Sequence, residues 1–95
     1  MPSALPSDTH PADPVALRQI ATRIGQQAEA VRRSAARLRL VAVTTPWRGA
    51  AATAFVNHAC VLAARFERAA ALLDDAATAM RWHAGAVEQL MGIAG

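Results

Sequence analysis

From Leu17 onward, apolar residues recur at steps of three, four and seven, the spacing of a single helical face. Written as heptads, the a positions are Leu17, Ile24, Val31 and Leu38, and the d positions are Ile20, Gln27, Ser34 and Val41. Every e position is alanine: Ala21, Ala28, Ala35 and Ala42. A second frame follows Pro46, with a positions Ala52, Ala59, Phe66, Leu73, Met80 and Val87 and d positions Phe55, Leu62, Ala69, Ala76, His83 and Leu90. Alanine again fills its e positions at Ala63, Ala70, Ala77 and Ala84. The pattern predicts two long helices, each with an aliphatic stripe beside an alanine ridge that lets a neighbouring backbone come close.

Boundary signals divide the chain. Residues 1–13 are rich in proline and small polar residues and predict a disordered tail. Asp13-Pro14 reads as an N-cap followed by a proline at the first helical position. Helix one is expected over about 14–43, a turn over 44–49, and helix two over about 50–93. Thr44-Thr45-Pro46 stops the first helix, because the residue before a proline is steered away from helical angles. The two lengths are unequal, so the last part of helix two is expected to overhang its partner unless Gly85 or Gly92 bends or ends it.

Two helices and a short loop make an antiparallel hairpin, so the fold class is all-α. Val56, Val61, Leu72 and Ile93 widen the stripe of helix two, and its long charge-free intervals imply a second apolar face. A dimer of hairpins forming a four-helix bundle covers it. The expected hairpin and dimer interface is Leu17, Ile20, Ile24, Val31, Leu38, Phe55, Leu62, Phe66, Leu73, Met80, Val87 and Leu90, with helix one turning its stripe towards helix two.

Composition narrows the chemistry. The 95 residues suffice for one domain, and alanine dominates an apolar fraction of 54%. Aromatics are only 4%, so a large aromatic core is not expected. The net charge is +3 and every basic residue is arginine. Helix one alone carries six arginines against Glu29, an excess that suits an acidic partner. A nucleic-acid role is disfavoured, because this helix has no aromatic residue for stacking and no asparagine for base readout. No segment predicts a membrane span, and the start MPSALPSDTHPADP predicts no cleavable leader. His58 and Cys60 fall on different sides of a helix, Asp74 and Asp75 have no histidine three or four positions away, and His10 sits in the tail. No metal pair, cofactor site or catalytic set is expected, and the chain is read as non-enzymatic. His83, on the stripe, is read as a residue that sets register or makes the interface sensitive to pH.

One stretch carries a family mark. Trp47-Arg48-Gly49 lies in the predicted turn of a helical hairpin of about 100 residues, and PWRGAAATAF follows it with small residues and then Phe55. Together with Leu62, Phe66, Leu73, Ala77 and Met80 downstream and DPVALRQIATRI upstream, it resembles the WXG100 (ESAT-6-like) family of actinobacterial type VII (ESX) secretion systems over about residues 13–92. The resemblance implies a small secreted protein in a hetero- or homodimeric four-helix bundle, exported with a partner subunit. That partner is a WXG-family protein or a larger toxin or effector with a similar N-terminal hairpin. Trp47 and Gly49 are the motif residues: Trp47 is expected to close the open end of the hairpin, and Gly49 to let the neighbouring backbone approach the ring. The family's export signal is a Tyr-x3-Asp/Glu after helix two. This chain has no tyrosine, so a heterodimer is expected in which a more acidic partner supplies the signal. The alternative is a cytoplasmic chaperone or adaptor for a toxin bearing a WXG-like hairpin.

Overall fold

The computed structural model describes residues 13–44, 46 and 48–94, and no side chain beyond Gly92. Residues 1–12 of the predicted tail, with His10, and the motif residue Trp47 lie outside the described residues. The chain forms two helices, α1 (Pro14–Thr44) and α2 (Ala50–Ala94), packed against each other as an antiparallel hairpin.

Local chemistry explains the ends. Asp13 caps α1: its Oδ1 accepts the Val15 N–H at 2.9 Å and its carbonyl accepts the Leu17 N–H at 2.9 Å. Pro14 takes the first helical position, where no N–H is needed. At the other end the Thr44 hydroxyl donates to the Leu40 carbonyl at 2.7 Å. The Gly49 carbonyl accepts the Thr53 N–H at 3.0 Å and opens α2. Gly49 has φ +108°, a conformation that L side chains rarely adopt, whereas a Cβ built there would meet no atom within 4 Å. Backbone angle, not the expected close approach, is what the described structure requires of this glycine.

The seam differs from the expected one. Among the described residues the buried apolar set is Leu17 and eleven alanines; Ala21, Ala28, Ala35 and Ala42 of α1 and Ala63, Ala70, Ala77 and Ala84 of α2 are each at 6% exposure or less. The e-position alanines of the two helices line the seam, and among the described residues no large side chain is fully buried. The physical reason is size. A ridge of methyl groups lets two backbones approach closely over many turns, and a seam of leucine and isoleucine would hold them apart. The larger a and d residues are therefore displaced to one broad face of the hairpin.

Ion pairs set the register. Arg18 pairs with Glu88, Arg32 with Asp74 and Arg39 with Glu67, and each pair of residue numbers sums to 106. Pro14 is thus level with about residue 92, and Thr44 with about residue 62. The overhang expected at the end of α2 lies instead at its beginning. Ala50 starts about 18 Å beyond the level of Thr44, at 1.5 Å per residue. α2 runs unbroken through Gly85 and Gly92, and its 45 residues account for the 68 Å long axis of the molecule.

Two substitutions test this architecture. Ala35→Leu or Ala70→Leu should lower stability by about 1–3 kcal/mol through overpacking, with the exposed Ala71→Leu close to neutral, as read by urea denaturation. Equal midpoints for Ala70→Leu and Ala71→Leu would refute the alanine seam. Gly49→Ala should cost about 1–2 kcal/mol in the same assay, because its φ has to stay positive.

Candidate functional site

With the e positions on the hairpin seam, each helix turns its b positions to one side and its a and d positions to the other. The b side carries the ladder. Arg18, Arg32 and Arg39 project from α1 at multiples of seven, and Glu67, Asp74 and Glu88 meet them from α2. Glu29 adds a second carboxylate to Arg32 at 3.0 Å. The fourth rung is different: Gly25 stands where α1 would place an arginine, and the Arg81 guanidinium lies 3.8 Å from the space a Cβ would fill there. All these side chains are substantially exposed, so each rung adds little stability alone and chiefly selects register.

The rungs perturb titration as ion pairing should. The hydrogen bonds to Asp74 and to Glu67 raise the pKa values of Arg32 and Arg39 respectively. The hydrogen bond from Arg39, at 2.6 Å, holds the Glu67 carboxyl below its ordinary value. A carboxyl depressed on folding stabilises the fold above its unfolded pKa, and that contribution is lost as pH falls through the folded value.

The opposite side carries the a and d residues. Of the expected interface set, Leu17 is in the hairpin core at 7% exposure. Ile24, Val31, Leu38, Leu62, Leu73, Met80 and Val87 are half-buried. Ile20, Phe55, Phe66 and Leu90 are exposed, at 36, 39, 37 and 67%. A shallow groove lined by Ser34, Arg37, Leu38, Val41, Leu62 and Phe66 shows residues of both helices sharing this face. Covering a large apolar side chain fully is worth about 1.5–3 kcal/mol, so this face holds much unrealised burial. His83, at a d position, is exposed on it. Cys60 is half-buried at the b position beyond Glu67, on the ladder side.

The sequence reading missed the ladder. Its signal was present as opposite charges repeating every seven residues in both helices. Among the described residues, no group of three or more His, Cys, Asp or Glu is placed to hold a metal ion, and no helix is long and apolar enough to cross a membrane. The arrangement is a partly exposed apolar face with an ion-paired back.

The Glu67 carboxyl should titrate by NMR below the ordinary glutamate range, and Arg39→Ala should return it there; an unshifted midpoint in the parent chain would remove the Arg39–Glu67 rung. Comparison of the chain with protein-family models, with curated proteins and with solved structures returns no match.

Proposed function

We propose that this protein is a non-enzymatic interaction subunit of the WXG100 (ESAT-6-like) type, which pairs through its a/d face with a second helical hairpin and is exported with it by a type VII secretion system. One observation carries the pairing: an alanine-seamed hairpin that spends its close contacts on methyl groups and leaves its large apolar side chains on one open face. Covering that face with a like hairpin makes a four-helix bundle, the arrangement in which such stripes are buried. The export route rests on the resemblance, carried by Trp47-Arg48-Gly49 between the two helices. The ion-paired ladder faces away from the proposed partner, which leaves the a/d face as the recognition surface.

Fractionation in the native host tests the reading. The chain should reach the culture medium when the type VII machinery is intact and remain in the cells when its motor ATPase is disabled. Trp47→Ala should reduce export at unchanged cellular level. Release that ignores the machinery would refute the proposal. Retention in the cytoplasm in complex with a larger hairpin-bearing protein would favour the chaperone reading instead.

A further inference from the structure

The ion-paired carboxylates of this hairpin lie away from its a/d face, whereas arginines border that face as well as lying elsewhere on the surface, at Arg33, Arg68 and Arg81. Among the described residues the carboxylates Glu29, Glu67, Asp74 and Glu88 are all engaged by arginine, on or beside the ladder side. Asp13 is taken up as the cap of α1. Among the described residues Asp75 has neither an ion pair nor a capping role, and it lies at a c position on the outer edge of α2. The g positions, which border the a/d face, carry Arg23 and Arg37 on α1 and His58 and Arg65 on α2. None of the three arginines has a carboxylate partner among the described residues; Arg37 donates only to the Ser34 hydroxyl, at 3.1 Å. Arg37 borders the groove that holds Leu38, Leu62 and Phe66. Arg65 stands on the opposite edge, within about one helical turn of the same level.

From this placement we infer that the a/d face is built for a hairpin of opposite rim charge, a partner whose apolar face is bordered by Asp and Glu, and that it disfavours a second copy of itself. The inference rests on the pairing reading above and adds the chemistry of the partner. Its logic is independent of how two hairpins are oriented. The rim bears cations on both long edges, so any face-to-face self-pairing sets arginine against arginine or against a neutral residue and never against a carboxylate. Like charges across an interface act as a barrier to the wrong partner, and opposite charges favour the right one and speed its arrival. The ladder sharpens the contrast, because it withdraws the chain's own carboxylates to the far side.

A charge-reversed copy of the chain supplies the acidic partner as a defined probe. The variant Arg23→Glu, Arg37→Glu, Arg65→Glu changes only exposed positions, and circular dichroism checks its helix content. A second variant with glutamine at the same three positions removes the rim charge without inverting it. In sedimentation equilibrium at low salt, the parent chain and the reversed copy should form a 1:1 complex at least about tenfold tighter than either self-complex. About 0.5 M NaCl should narrow that preference by screening, and the glutamine variant should self-associate more tightly than the parent chain. A parent homodimer that is insensitive to salt and indifferent to the reversed copy would overturn the charge inference and leave pairing itself standing. A parent chain that stays monomeric alone and with both variants would overturn the pairing reading as well. Tight binding to vesicles of anionic phosphatidylglycerol, without preference for the reversed copy, would replace the partner hairpin by a lipid surface.

Discussion

The methyl-to-methyl seam between the helices is the constraint on which the rest of the structure depends. Alanine recurs every seven residues on both helices, and the recurrence keeps one narrow ridge of each turned towards the other over many turns. Close backbone approach is obtained at the expense of volume, since among the described residues eleven of the twelve buried apolar residues are alanine. Little apolar area is removed from water per residue in such a seam. Larger apolar residues, such as Phe66, Leu62, Leu73 and Met80, sit on the flank where one hairpin alone covers them in part. Tight pairing inside the hairpin and an open face outside it are therefore one choice, made by alanine at e and large residues at a and d.

The seam fixes closeness but only weakly fixes register, because a row of identical methyl groups can slide by seven residues and still match. The ladder breaks that degeneracy. A slip of one heptad would set Arg32 against Arg81 or Glu67 and move the gap at Gly25 away from Arg81, which now lies over it. Half-exposed pairs contribute little to total stability, yet discrimination needs only a difference between registers. This register also moves the unpaired turns of the longer helix to the beginning of α2, beyond the level of Thr44, where Ala52 and Ala59 are still buried.

Much of this was legible in the chain itself. The two helices, the cap of α1 at Asp13 and the interruption around Pro46 follow from periodicity and breaker chemistry, and they hold in the structure. The seam was misplaced because a hydrophobicity pattern weighs side chains by apolar area and so puts leucine and isoleucine at the centre. Helix packing weighs them by how near they let two backbones come, and by that measure alanine is central. The overhang was misplaced because length alone cannot say at which end two unequal helices are level. That information sat in the spacing of Arg18, Arg32 and Arg39 against Glu67, Asp74 and Glu88. Gly49 was marked from sequence as special, and the structure supplies the reason in its backbone angle. Trp47, the strongest mark of resemblance, lies outside the described residues, so its role is carried by the export experiment.

In the proposed pairing, the two faces of the hairpin divide the work of recognition. An apolar face alone would accept any amphipathic surface, including a second copy, a lipid layer or an unrelated helix pair. Specificity needs an element that makes the wrong choices unfavourable, and charge at the border of the face supplies it most economically. A rim charge also leaves the close-packed seam untouched, so partner choice can change without disturbing the hairpin fold. The ladder then does more than set register. By binding Glu67, Asp74 and Glu88 on the far side, it keeps the chain's own carboxylates from neutralising the rim that Arg23, Arg37 and Arg65 present. In the proposed pairing, internal ion pairs and partner discrimination draw on one set of charges. Loss of a rung would free a carboxylate and shift the balance of the whole surface, even though the rung itself is worth little to the stability of the fold.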